Sequence, residues 1–252
     1  MKINEVYCED NLSFLKKIDD EIIDFIYCDI LYGTGRNFGS YIDIRADKEI
    51  VFSFYLPRIL EFYRVLKNTG SIVFQMDKRI NHWIRNLFDD VFGYQNFRNE
   101  ITWCYSGGGV SSTKFSPKSD VLIWYSKSEE YTFNKQFIPY TGEQKAHPYS
   151  KNREEKSLRG KHLEDWWIDI NSFGGSTNHP ERREIGYPTQ KPELLMKRVV
   201  DTWTNEGDLV ADFFMGSGTF IYVANKLNRN FLGCDILEDA VKITKKRLTK
   251  KE

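Results

Sequence analysis

The sequence predicts an α/β fold: a mostly parallel sheet with helices on both faces. Two observations predict it. Short apolar runs alternate with segments of helical periodicity at both ends of the chain, which is how strand–helix repeats read. Four of those runs also carry an acid at or near their carboxyl end, the edge of an open parallel sheet where ligands bind.

The elements follow in order. Residues 22–27 form a β-rich run that ends at Cys28-Asp29. Residues 49–67 have helical periodicity, with Pro57 expected to bend or split the helix and Asn68-Thr69-Gly70 expected to cap its carboxyl end. A second run at 71–76 ends at Asp77, and a helix is expected over 79–91. A strand around Ile101 leads into a flexible polar loop at 106–112. Toward the carboxyl end, a helix over 192–203 has a proline in its first turn. A strand over 208–213 and a helix over 217–227 come next, then a strand over 230–234 that ends at Asp235. The last helix, 237–248, carries Lys245, Lys246 and Arg247 where the helix dipole favours cations. Short apolar runs of this kind suit strands buried on both faces.

The middle breaks the pattern. Between about 140 and 187 the apolar runs disappear, and glycines, histidines and basic residues accumulate. This is read as an inserted, loop-rich lobe, since a long loop within a compact domain is usually functional or disordered. Trp166 and Trp167 within it are read as packing residues. The expected organisation is one domain in two halves, 1–139 and 188–252, around an insert at 140–187. A length of 252 residues suits such a domain.

Composition narrows the class. With 40% apolar and 29% charged residues, the chain should fold. Its longest apolar runs fall far short of the roughly 18 residues of a membrane span, and the opening Met1-Lys2-Ile3-Asn4-Glu5 lacks a signal-peptide pattern. The four cysteines are scattered, without disulfide-framework or zinc-ligand spacing. A reduced, cytoplasmic setting without a metal is expected. Formal net charge is zero, which taken alone argues against a nucleic-acid partner. The distribution is uneven, however: residues 1–60 hold eleven acids against seven bases, and residues 141–163 hold six bases against three acids. Neutrality therefore excludes only a uniformly basic binder.

Two turns carry the chemistry. Asp212-Phe213-Phe214-Met215-Gly216-Ser217-Gly218-Thr219 follows a strand and opens a helix. Glycines there allow close backbone approach to a ligand, and the helix start offers free N–H groups to an anion such as a carboxylate. Ser217 or Thr219 is expected as N-cap. The phosphate-loop lysine and the full GxGxxG are absent. Asp235, about 20 residues later, sits where an acid accepts hydrogen bonds from ribose hydroxyls. A ribose-bearing ligand with a carboxylate fits this turn better than a phosphate does. The second turn, Asp29-Ile30-Leu31-Tyr32-Gly33-Thr34-Gly35, follows the first strand.

Together the turns resemble the S-adenosylmethionine-dependent DNA amino-methyltransferases, in the beta subclass whose catalytic motif precedes the cofactor motif. That family's Asp-Pro-Pro-Tyr corresponds to Asp29-Ile30-Leu31-Tyr32, and its Asp-x-Phe-x-Gly-Ser-Gly-Thr to residues 212–219. Gly186-Tyr187-Pro188-Thr189-Gln190-Lys191-Pro192, Asp77 and Gly233-Cys234-Asp235 also match, in order and over nearly the whole length.

The resemblance implies the Rossmann-like class I methyltransferase fold and S-adenosylmethionine as cofactor. It also implies transfer to N6 of an adenine flipped out of duplex DNA, because Asp stands at the first motif position, where N4-cytosine enzymes usually carry Ser. It makes Asp29, Ile30 (through its carbonyl) and Tyr32 catalytic. It places Asp212, Phe214, Gly216, Ser217, Gly218 and Asp235 on the cofactor, Thr189 and Lys191 near its methionine end, and Cys8 and Asp10 beside its adenine ring; simple burial is the other reading of Cys8. The basic insert becomes the target-recognition region, and a homodimer, a cognate restriction endonuclease or a second modification subunit become the partners. One departure stands out: Ile30-Leu31 replaces Pro-Pro, which implies a looser catalytic turn. The alternatives are therefore N4-cytosine transfer, or a catalytically impaired subunit that binds DNA or cofactor.

Overall fold

The computed structural model describes residues 1–39, 41–107, 109–140, 149, 151–173, 179–187 and 189–250. Gly108, Pro188 and parts of the basic insert, Lys145 among them, lie outside the described residues. The main sheet contains β1 (Glu5–Cys8), β2 (Ile23–Asp29), β3 (Leu66–Met76), β4 (Phe97–Cys104), β5 (Ser119–Ser126), β8 (Trp166–Trp167), β9 (Leu209–Asp212) and β10 (Asn230–Asp235). Its order is β1-β10-β9-β2-β3-β5-β4-β8, and only the pairings of β5 are antiparallel. A small ribbon pairs β6 (Phe137–Ile138) with β7 (Lys161–His162).

Alternation along the strands makes two cores. Ile26, Cys28, Ile72 and Phe74 face one side of the sheet. There they meet Phe14 of α1 (Asn11–Leu15), Tyr55 and Phe62 of α2 (Lys48–Val65) and Phe88 of α3 (Asn81–Phe92). Phe25, Tyr27 and Val73 face the other side and meet Val199 of α6 (Glu193–Trp203) and Phe220 of α7 (Thr219–Lys226). The period of two in each strand is what gives a buried strand two apolar faces. The α/β reading with a mostly parallel sheet and helices on both faces therefore holds.

Three expectations need correction. Helix α2 ends at Val65, not 67, and passes through Pro57 as one element. Its start is fixed by Asp47, whose side chain accepts from the Ile50 N–H at 3.0 Å. Leu66 is already extended and pairs with Ile23, so Asn68-Thr69-Gly70 lies inside β3 and caps nothing. The register shift between Ile23 and Phe25 takes up these extra residues. Helix α7 starts after Gly218, not after Ser217 or Thr219, and no side chain caps it. Gly218 sits at φ +67°, and a Cβ there would lie 2.3 Å from the Thr244 hydroxyl, so only glycine closes this turn against α8 (Glu238–Leu248). Third, Trp167 is buried as expected, but Trp166 is half-exposed.

The insert is less irregular than its composition suggests. It contains α4 (Arg153–Arg159) and α5 (Pro180–Ile185), and β8 extends the main sheet by pairing with Thr102 and Trp103. Arg198 of α6 holds this edge through Asp169, at 2.9 and 2.5 Å, with its guanidinium over Trp167. Among the described residues no helix is long and apolar enough to cross a membrane.

The core should behave as close-packed. Phe74 is fully buried against the rings of Tyr55, Phe62 and Phe88. Phe74→Ala is expected to cost about 3–5 kcal/mol. Urea unfolding followed by circular dichroism should show a lower midpoint with an unchanged slope.

Candidate active site

The carboxyl edge of the sheet opens into a cavity of about 340 Å³, within the range of small-molecule sites. Three neighbouring strands each bring an acid to it: β2 ends in Asp29, β9 in Asp212 and β10 in Asp235. The parallel order β10-β9-β2 puts these side chains next to one another although they are up to 206 residues apart in sequence.

Each acid has its own set of donors. Asp235 accepts from the Gly216 and Leu237 N–H groups, both at 2.9 Å. Burial pushes its carboxyl up, and these backbone donors oppose that. Asp212 accepts from the Phe214 N–H at 2.9 Å. Burial, with Asp29 and Asp235 nearby, pushes it well above the usual carboxylate range. Asp29 is also raised by burial, and Lys191, whose ammonium is 2.5 Å from Oδ2, opposes the rise. The site thus crowds three desolvated acids, whose ionised forms a cationic ligand would favour.

The first turn is held more firmly than Ile30-Leu31 implies. The Ile30 N–H, which proline would lack, donates to the Gln75 carbonyl of β3 at 3.1 Å. The Ile30 side chain is buried in the core, and the Tyr55 hydroxyl donates to the Leu31 carbonyl at 3.0 Å. Tyr32 is fixed by its hydroxyl, which lies 2.8 Å from Asp29 Oδ1 and 2.7 Å from Asp120 Oδ2. The turn continues to Asp43, which is buried and accepts from the Gly33 and Thr34 N–H groups.

The cavity brings together most of the residues singled out in the sequence. Asp29, Ile30 and Tyr32 line it, as do Asp10, Thr189, Lys191, Asp212, Phe214, Gly216, Ser217 and Asp235. Asp10 does so while capping α1 and pairing with Arg58 at 2.9 Å. Two residues fall outside the lining. Cys8 is exposed, neither buried nor on the cavity wall, and its thiol donates to the Ile236 carbonyl at 3.7 Å. Gly218 shapes the glycine turn from behind, against Thr244.

The sequence reading missed several wall residues. Phe38 and Tyr41 stack on each other with ring centres 5.1 Å apart, and both line the cavity, as do Phe54 and Tyr187. Burial pushes the Tyr41 phenol up to about 12. Gln75 and Asp120, behind Tyr32, were missed as well; the position of Gln75 at the end of β3, opposite Asp29, was the available signal.

The residues fit a methionine-nucleoside sulfonium. Gly216, at φ +49°, has no Cβ, and one would lie 3.3 Å from the Tyr187 ring, so the turn presents bare backbone to the cavity. Asp235 suits ribose hydroxyls, Phe54, Ile236 and Leu237 offer apolar wall to a purine, and Asp212 suits a positive sulfur.

Comparison with known proteins agrees with this geometry. The DNA methylase family matches residues 23–246. DNA adenine methyltransferase YhdJ of Escherichia coli (strain K12) is 32% identical over 255 residues, covering 95% of this chain and 80% of the relative. Among solved structures, the M1.HpyAVI–SAM complex superposes with a TM-score of 0.63 at 19% identity, covering 98% and 99% of the two chains. PvuII DNA methyltransferase (cytosine-N4-specific) does so at 0.69 and 16%, covering 98% and 86%. The ends of β2, β9 and β10 that carry the three acids thus lie within a matched span that runs from Ile23 to Lys246, and the chain belongs to the DNA methylase family, whose enzymes are S-adenosylmethionine-dependent.

Proposed function

We propose that the protein methylates N6 of an adenine extruded from duplex DNA. The observation that carries this reading is the Asp29–Ile30–Tyr32 turn on the wall of the cavity that also holds Asp212 and Asp235.

The target amine is a poor nucleophile because its lone pair is delocalised into the ring. Asp29 accepts one amine hydrogen and the Ile30 carbonyl accepts another, which draws the nitrogen toward a reactive geometry. Tyr32 stacks on the base once it leaves the duplex, a contact worth about 1–3 kcal/mol. S-adenosylmethionine supplies an electrophilic methyl on a positively charged sulfur. As the nitrogen–carbon bond forms and the carbon–sulfur bond breaks, the electron pair of the latter stays on sulfur. The methylated nitrogen then gives its extra proton to Asp29 and on to solvent. Positioning and preorganised charge supply most of the acceleration.

In this reading Asp235 holds the cofactor ribose. Asp212, Phe214, Gly216 and Ser217 surround its middle, Thr189 and Lys191 the methionine end, and Asp10 the adenine end; Gly218 acts through the turn. The region 140–187 reads the target sequence, with Arg and Lys on phosphates and polar side chains on base edges. The remaining partners proposed are a second copy of the chain and a cognate restriction endonuclease or second modification subunit, in the cytoplasm. The hydrogen bond from Ile30 to Gln75 supports an active enzyme over an impaired subunit, since it supplies the stiffness that Pro-Pro would otherwise give.

The test is to incubate the protein with labelled S-adenosylmethionine and mixed-sequence duplex DNA, then analyse the nucleosides. N6-methyladenine is the expected product. N4-methylcytosine would overturn the adenine assignment, and cofactor binding without labelled DNA would overturn the enzyme. Asp29→Ala should abolish transfer and leave cofactor affinity, measured by calorimetry, largely intact. Because burial raises Asp29 and it acts as an ionised acceptor, kcat should decline as pH falls through that raised value and level off above it. A kcat that stays flat down to the ordinary aspartate value of about 3.9 would contradict the role.

A further inference from the structure

The Tyr32 hydroxyl has one proton and two carboxylates within reach, at 2.8 Å (Asp29) and 2.7 Å (Asp120). Burial and the two acids push this phenol well above its ordinary value, so the proton stays on it. Where the proton points is decided by what else each acid has. Asp29 already faces the Lys191 ammonium at 2.5 Å. Asp120 is buried, and its described partners are neutral donors: the Gln75 amide at 2.9 Å and the Tyr105 hydroxyl at 2.9 Å. A hydrogen bond is stronger at a buried carboxylate that has no cation beside it. Gln75 in turn is fixed by the Tyr27 hydroxyl, which donates to Oε1 at 2.7 Å. We propose that Asp120 is a positioning residue for methyl transfer: it takes the Tyr32 proton, fixes the ring that meets the base, and leaves Asp29 free to accept the target amine.

This inference rests on the amine-acceptor role of Asp29 proposed above. Lys191 is the cation at Asp29: its ammonium sits on that carboxylate and 5.2 Å from the centre of the Tyr32 ring. The other groups that act on the field at Asp29 are Asp212, Tyr27, Cys28, Tyr41, Tyr105 and Tyr187. Around Asp120, Asp77 adds to Tyr27, Tyr32 and Tyr105. Apart from Lys191 these are acids, phenols and a thiol, so none takes over the role of the cation.

The experiment follows the carboxyl carbon of Asp29 by NMR titration in the wild type, Tyr32→Phe and Asp120→Asn, with kcat measured alongside. If the phenol proton points to Asp120, Tyr32→Phe leaves the Asp29 midpoint unchanged. Asp120→Asn lowers that midpoint, because a nearby negative charge is lost and the phenol proton passes to Asp29. In the same variant kcat should fall about ten-fold, the size of one ordinary hydrogen bond, with cofactor affinity unchanged. Asp120→Asn made in the Tyr32→Phe background should add little further loss of kcat. A midpoint that rises in Tyr32→Phe shows that the proton was on Asp29 and overturns the proposal; so does an equal loss of kcat from Asp120→Asn in both backgrounds. The titration does not need turnover, so it decides the inference even if the wild type methylates nothing, an outcome that would instead sink the proposed function.

Discussion

The structure depends on the parallel register of β10, β9 and β2. That register sets three carboxylates side by side on the wall of one cavity. Bringing acids together this way is costly unless hydrogen bonds or a cation meet them. The chain meets the cost locally: two backbone N–H groups at Asp235, one at Asp212 and the Lys191 ammonium at Asp29. The glycine turn is needed because only a tight backbone puts the Gly216 N–H onto Asp235. The packing of Gly218 against Thr244 is needed in turn to hold that backbone in place.

Strands were easier to read in the sequence than the devices that join them. The runs at 22–27, 71–76 and 230–234 appear as strands because a strand buried on both faces has to be apolar throughout. The end of α2 was misread because Asn68-Thr69-Gly70 looks like a helix stop. What ends the helix is a non-local pairing, Leu66 with Ile23, and no local signal carries it. The short β1 passed unnoticed because four residues on a sheet edge leave little periodicity.

The site was legible where chemistry is concentrated in one turn and illegible where it is assembled from afar. Asp29, Asp212 and Asp235 stand at strand ends and can be found by their position. Asp120 lies at the start of β5, an antiparallel strand 91 residues after Asp29, and touches the turn through the Tyr32 hydroxyl. Phe38 and Tyr41 line the cavity from a loop with no strand of its own. Cys8 shows a looser fit: the matching segment is present, but its thiol reaches the cavity wall only at the Ile236 carbonyl and does not line it. Adjacency in a motif fixes the backbone path more firmly than it fixes where each side chain goes.

The hydrogen bond from Ile30 to Gln75 makes the Asp29–Tyr32 turn a continuation of the sheet and not a separate stiff hinge. A proline pair is rigid whatever its surroundings do; this turn draws part of its rigidity from β2 and β3 staying zipped at their ends. Its geometry is therefore tied to the cooperativity of the sheet, and fraying of that strand end would loosen the turn before the fold is lost. The Ile30 amide hydrogen, which an Asp-Pro-Pro-Tyr chain does not possess, becomes a built-in reporter. Its exchange with solvent counts how often the turn opens.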